Sequence, residues 1–219
     1  MTGTLKRRWY QFSLLSMLVV LTLVCLGPGG YVAFEQQKAR EQKRSVEAIE
    51  RLGGTVDYRQ DSQSRSPAMR LILGDESFGD VNTVHFGLSG NTNEKVTDAD
   101  LQCFTRLTHI RFLCLEGCKR FTGTGIETLA GLPKLDSLDL TSTQISDDCL
   151  AHLGELKRLD HLILDDTQIT DAGLTHLAKL SQLEYVELID TRVTQTGVGN
   201  LQKKLPNCRI NWRTFERAP

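Results

Sequence analysis

Toward the C-terminus, apolar positions recur in one order three times over. Leu135, Leu138 and Leu140 are followed by Ile145, Leu150 and Leu153; Leu159, Leu162 and Leu164 by Ile169, Leu174 and Leu177; Leu183, Val186 and Leu188 by Val193, Val198 and Leu201. The copies beginning at Leu132 and Leu156 are 24 residues long, and the copy beginning at Leu180 has 25. A period of this size marks stacked units, none of which can bury its apolar ridge alone. Within a unit, Leu135-Asp136-Ser137-Leu138-Asp139-Leu140 alternates as a short strand, leucines inward. Thr143, Thr167 and Thr191 follow at the turn, where an inward hydroxyl satisfies a loop backbone group. Ser146-Asp147 and Thr170-Asp171 then supply N-cap chemistry for a helix that sends Leu150 and Leu153 inward.

The same spacing reaches upstream. Asp80 to Arg106 is a divergent copy, with Val81, Val84 and Phe86 in the strand slots, Thr97-Asp98 at the cap and an insertion near Asn91. Leu107 to Gly131 is another, and Leu205 begins a copy that breaks off, with Ile210 and Trp212 closing the far end. The pattern predicts an α/β solenoid over residues 80–219: about five repeats of roughly 24 residues and a C-terminal cap, parallel strands concave and short helices convex.

A different pattern precedes it. Trp9 to Leu26 carries no charge, follows Lys6-Arg7-Arg8 and ends before Pro28-Gly29-Gly30. Eighteen residues is about the minimum for a helix to cross a bilayer, and Trp9, Tyr10 and Tyr31 stand where interfacial aromatics belong. The first unit, residues 1–34, is therefore expected to hold a short tail and a single span over about residues 9–27. A cleaved signal, which would release a secreted repeat protein, fits less well because Tyr31 stands where a cut after Ala33 prefers a small residue. Lys6, Arg7 and Arg8 favour an inside N-terminus, against Lys38, Arg40, Lys43 and Arg44 beyond the span. That places the repeats on the non-cytoplasmic side of the cell membrane. Residues 35–54 read as a charged helical stalk ending at Gly53-Gly54, with Val46, Ile49 and Leu52 on one side to dock. Residues 55–79 read as a capping hairpin of Thr55–Arg59 and Ala68–Leu73.

Composition narrows the chemistry. Twenty-six Lys and Arg against 27 Asp and Glu leave no basic domain for nucleic acid. Of six cysteines, Cys25 lies in the apolar block, Cys118 takes a threonine slot, Cys149 a glycine slot and Cys208 a leucine slot. Cys114-x3-Cys118 has no second pair at metal-binding spacing. His152 and His176 are one period apart and belong to the repeat. There is no HExxH, G-x-S-x-G or phosphate-binding glycine loop. No cofactor, metal, catalytic residue or small-molecule substrate is expected, and the chain reads as a non-enzyme.

The run from Leu159 to Leu177, LxxLxLxxTxIxDxGLxxL, resembles the leucine-rich repeat family. LCLEGCKRFTGTGI from Leu113 is similar to the cysteine-containing subtype found in substrate-recognition subunits of ubiquitin ligases, although no F-box-like segment precedes it. Apolar block, charged stalk and few repeats together resemble bacterial membrane-anchored leucine-rich repeat proteins. The resemblance covers about residues 80–212. It implies binding on the concave strand face and no catalysis by the repeats.

Outward strand positions carry the candidate site. Copies three to five offer Asp136, Ser137, Asp139, Thr141 and Ser142; Asp160, His161, Ile163, Asp165 and Asp166; Glu184, Tyr185, Glu187, Ile189 and Asp190. Eight of these fifteen are acidic and none is basic, whereas Lys134, Lys157, Arg158, Lys179, Lys203 and Lys204 gather beyond the helices. Asp136, Asp160 and Glu184 share one slot, about 4.8 Å apart across strands, where like charges repel. A protein with a basic surface would relieve that repulsion; Lys134 and Arg158 are the local alternative. Calcium is the lesser variant, since ligands on a flat sheet rarely surround it. The expected partner-binding set is Arg111, Phe112, Asp136, Asp139, Asp160, His161, Asp165, Asp166, Glu184, Tyr185, Glu187 and Asp190, with Phe112 and Tyr185 as apolar anchors. Two other classes stay open: an assembly element packing through its convex side, and an enzyme with a site in Thr55–Asn91 using His85 or Asp75.

Overall fold

A computed structural model of the protein describes residues 14–59, 80–87 and 92–213; within its first helix, side chains are described from Gly30 onward, Val32 excepted. Its centre is a sheet in which β2 (Val81–His85), β4 (Phe112–Cys114), β6 (Ser137–Asp139), β7 (His161–Ile163), β8 (Tyr185–Ile189) and β9 (Arg209–Arg213) lie side by side, all parallel. Val84, Leu113, Leu138, Leu162, Val186 and Ile210 form one unbroken rung across it. The five from Val84 to Val186 are essentially fully buried. Strand geometry explains the rest: neighbours along each strand point to the opposite side and form solvent-facing rungs.

Each strand returns to the next through a helical segment. Copies three to five use α2 (Asp147–Leu153), α3 (Asp171–Leu177) and α4 (Gln195–Lys204), while the two earlier copies tighten to 3₁₀ turns, Asp98–Cys103 and Ile126–Gly131. In the second of these, Gly123 and Gly125 both take left-handed φ, 82° and 85°, so the turn begins without a capping hydroxyl. A small second sheet of β3 (Asn93–Thr97) and β5 (Cys118–Arg120) joins the same two copies.

Two sets of hydrogen bonds recur as ladders along the stack. At each strand end the chain turns through a left-handed residue: Gly117, Ser142, Asp166 and Asp190, with φ of 69°, 56°, 50° and 56°. The following hydroxyls of Thr143, Thr167 and Thr191 are buried and donate to the carbonyls of Leu140, Leu164 and Leu188 at 2.6, 2.6 and 2.8 Å. The inward hydroxyl expected from the repeat therefore satisfies its own turn. The second ladder runs between copies. Asp147 accepts from the Thr170 backbone N–H and hydroxyl at 2.8 and 2.6 Å, and Asp171 accepts the same pair from Thr194 at 2.7 and 2.6 Å. Asp98 receives Thr122 and the Gly123 N–H.

The Asp147 and Asp171 carboxylates fit only because the next copy has no side chain above them. A Cβ at Gly173 would overlap the Asp147 carboxylate, and one at Gly197 the Asp171 carboxylate. Where the glycine slot holds Cys149, the aspartate slot below holds Gly123, whose added Cβ would meet the Cys149 sulfur. Asp with Gly, or Gly with Cys, are two fillings of one volume.

The ends are closed differently. α1 (Leu14–Arg51) is one helix of 38 residues that runs through Pro28-Gly29-Gly30, so the expected block boundary there is continuous helix. The span expected over about residues 9–27 lies outside the residues whose side chains are described; among the described residues, no helix is long and apolar enough to cross a membrane. The last turns of α1 bury Val46 and Ile49 in the solenoid core. Gly53, at φ 85°, and Gly54 end the helix by donating to Glu50 and Ile49. β1 (Thr55–Tyr58) then pairs antiparallel with β2; the Ala68–Leu73 strand of the expected hairpin lies outside the described residues. At the far end, Gln202 donates to the carbonyls of Leu205 and Cys208 at 3.0 and 2.9 Å, and Ile210 and Trp212 pack on the core.

Gly173→Cys alone is expected to destabilise by about 1–3 kcal/mol, through loss of the Asp147 bonds. Adding Asp147→Gly should recover part of it, with a coupling of about 1 kcal/mol or more in a urea-denaturation double-mutant cycle. Strict additivity would reject the shared-volume account. Thr167→Val should cost about 1–3 kcal/mol by orphaning the Leu164 carbonyl; an unchanged denaturation midpoint would show the turn finds another donor.

Candidate functional site on the strand face

The solvent-facing rungs are set by the register. One runs Thr83, Phe112, Ser137, His161, Tyr185, Arg209; the next runs His85, Cys114, Asp139, Ile163, Glu187, Asn211. Phe112, His161 and Tyr185 thus share a rung. Aromatic contacts extend it: the rings of His85 and Phe112 meet edge-on with centroids 5.1 Å apart, and those of His161 and Tyr185 lie 5.9 Å apart.

At the start of the strands, Arg111, Asp136, Asp160 and Glu184 form a row held by backbone bonds from each to the next. The expected repulsion along this row is relieved within it, and not by Lys134 or Arg158. Arg111 clamps Asp136 through two guanidinium nitrogens, the Nε contact at 2.7 Å. Asp160 Oδ1 lies 2.7 Å from His161 Nδ1. Glu184 remains exposed and unpaired among the described residues. The reason is reach. Arg111 and Asp136 are sequence-distant but sit on adjacent strands, while Lys134 and Arg158 belong to the connections behind them.

Acidity concentrates instead at the strand ends. Asp139, Asp165, Glu187 and Asp190 come together around Asp165, whose carboxyl is pushed up to about 6. Burial is the main cause, and Glu187, Asp139 and Asp190 add to it, against the lowering effect of the Ile189 N–H donating at 2.7 Å. Among the described residues no cation pairs with Asp139, Asp165 or Asp190. Asp139 accepts the Thr141 N–H and hydroxyl at 2.9 and 2.6 Å, and the Asn211 amide donates to Glu187. Asp166, in its left-handed turn, accepts the Ser142 hydroxyl at 2.6 Å, with Lys119 at 3.8 Å.

Cys114, Glu116 and Asp139 bring one ligand-type atom each within 4.8 Å of one another. Burial pushes the Cys114 thiol up to about 11, so near neutrality it is a thiol donating toward Asp139 Oδ2 at 3.8 Å, not a thiolate ligand. His85, Cys114, Glu116 and Asn211 belong to this surface and were not in the expected partner-binding set, although the repeat already puts Cys114 and Glu116 at outward positions of the second copy. Counting the strand alternation through the first and last copies would have found His85 and Asn211. Asp75 lies outside the described residues.

No protein-family model matches the sequence, and no curated protein matches it. Solved structures resemble it in fold. Internalin C2 of Listeria monocytogenes is 26% identical over 52% of this chain and 49% of its own, with a TM-score of 0.40. A leucine-rich repeat protein of Leptospira interrogans is 19% identical, covering 67% and 40%, at 0.40. The leucine-rich repeat ectodomain of the receptor kinase SOBIR1 from Arabidopsis thaliana is 13% identical, covering 79% and 91%, at 0.47. The chain spans about half or less of the length of the two bacterial proteins.

The raised Asp165 carboxyl gives a pH signature. Its folded value of about 6 exceeds the unfolded value of about 3.9, so the folded state takes up the proton first. This group's contribution to stability therefore rises as pH falls from above 6 toward 4. Asp165→Asn keeps an oxygen for the Ile189 N–H and should be more stable than the parent at pH 7.5, with the gap closing by pH 4. A gap in melting temperature that stays constant across this range would mean the Asp165 carboxyl is not raised in the folded state.

Proposed function

We propose that the protein is a membrane-anchored leucine-rich repeat binder that recognises another protein through the acidic strand face, on the concave side of the solenoid. The observation that carries this reading is the group around Asp165: four carboxylates crowded at the strand ends with no cation to pair with Asp139, Asp165 or Asp190 among the described residues. A basic surface on the partner supplies the missing charge, and Tyr185, His161 and Phe112 supply an apolar strip beside it. The strand rungs are rigid, because strand pairing and the Asp–Thr bonds tie copies together, so recognition needs little ordering of the site.

In this reading the apolar N-terminal block holds the chain at the cell membrane as a single-pass anchor, with the repeats on the non-cytoplasmic side. The assembly alternative is kept by the convex helices, which would serve as the contact if strand-face changes prove silent.

Proximity labelling from the intact protein, followed by pull-down, identifies the partner. Charge reversal of Asp160, Asp165 and Glu187 together is expected to weaken its capture at least about tenfold at low salt, while helical and strand content stay unchanged. Capture by the parent should fall as salt is raised. Equal capture by parent and variant rejects the strand face as the binding surface.

A further inference from the structure

One edge of the solenoid, formed by the helix ends and the connections that follow them, carries cations that form no ion pair among the described residues. Arg158, Lys179, Lys203 and Lys204 are exposed, and none forms an ion pair among the described residues. Lys157 beside them donates to the Gly154 carbonyl at the end of α2. Of the acids on this edge, Asp136 is held by Arg111 and Asp160 by His161, while Glu155 and Glu184 stay exposed, so cations outnumber the free acids. The opposite edge, where strands end, holds the acidic group around Asp165.

α1 leaves the solenoid on the basic edge. Arg106, in a helix-to-strand connection, pairs with Glu41 at 2.9 Å. Burial holds His109, in the same connection, below the usual histidine value against Asp80, with Lys134 and Lys38 pushing the same way as burial. At the other end of α1, the Leu52 carbonyl accepts the Asn93 amide at 2.9 Å, and Asn93 lies beyond the end of β2. The helix therefore crosses the solenoid end from the basic edge toward the acidic edge, with its N-terminal part on the basic side. Phe34 lies seven residues before Glu41, about 10 Å further along the helix, and Tyr31 about 15 Å. Both are large apolar side chains left in solvent, 64% and 53% exposed.

We propose that this basic edge docks on a bilayer surface bearing anionic headgroups, the surface toward which α1 projects. The proposal rests on the anchoring reading above and adds what holds the solenoid against the membrane. Charge decides the orientation twice over: headgroups attract the lysine edge, and the acidic edge is turned away from them. The interaction is local because the net charge is only −1, and it works within a Debye length of about 8 Å, matching side chains laid on a surface.

The intact protein is tested by flotation with vesicles of phosphatidylcholine alone or with a quarter phosphatidylserine, and by amide exchange of the bound protein. With an inserted anchor, the chain floats with both, and connections 155–160, 178–183 and 203–208 exchange more slowly only with phosphatidylserine. Arg158→Gln with Lys179→Gln, Lys203→Gln and Lys204→Gln should abolish that protection. Flotation with both vesicles and no phosphatidylserine-dependent protection overturns the docking edge and leaves the anchor standing. Flotation with phosphatidylserine alone, reversed by about 1 M salt where screening acts within 3 Å, supports the edge and removes the anchor. Flotation with neither overturns both. Protection of the same connections in detergent without lipid, growing with protein concentration, assigns the edge to a second copy and overturns the proposal.

Discussion

The structure depends on one constraint: each turn of chain can hide its apolar ridge only against the next, so successive copies must stack without slipping. The rung from Val84 to Ile210 is the result, and the Asp–Thr ladder is what holds it. Asp147 and Asp171 each tie the threonine that begins the following helix, and that threonine hydroxyl in turn accepts from its own helix, Thr170 from Ala172 and Thr194 from Gly197. One side chain thus caps a helix and bonds to the copy before it. A slip would break both roles at once. The ladder stops where it has nothing to hold: Gln195 fills the aspartate slot of the last full copy, and Gln202 satisfies the final carbonyls instead.

Stacking also sorts charge. Because every copy contributes the same slots, residues of one sign collect along lines that no single copy reveals. Lysines favoured at helix C-termini become a basic edge, and acids at the strand ends gather round Asp165, whose carboxyl is raised by burial first and by these neighbours second. The candidate binding face and the proposed membrane-facing edge are two consequences of this alignment. Both ends of the solenoid break the pattern: α1 covers one with Val46 and Ile49, and β9 covers the other with Ile210 and Trp212.

Much of the fold was legible because the period is short and the physics within a copy is local. Inward leucines and turn threonines could be placed by counting, and so could the capping hydroxyl of Thr170; Ser146, expected in the same role, begins its helix without a side-chain cap bond. Elements needing a partner outside the copy were harder. The alternation of Thr55 to Tyr58 marked a strand, yet its pairing with Val81–His85 could not be read from alternation. The 3₁₀ form of the second copy follows from two left-handed glycines whose φ no spacing reveals. On the candidate face, the outward positions of the middle copies were readable; His85 and Asn211 in the first and last strands were missed, and the partner of each charge was not readable.

By itself the sequence determined which side chains face the core and which face water, since a fixed period sends equivalent residues in one direction. It also determined that in copies three to five acids take outward strand slots while lysines and Arg158 lie beyond the helices. Only the tertiary structure decided which charges are satisfied. Asp136 meets Arg111 from the neighbouring strand, Asp160 meets the histidine beside it, and Asp165 meets other carboxylates. Those outcomes turn on distances of a few ångströms between residues a full copy apart, where the register of adjacent strands, and not the order of residues along the chain, sets who is next to whom.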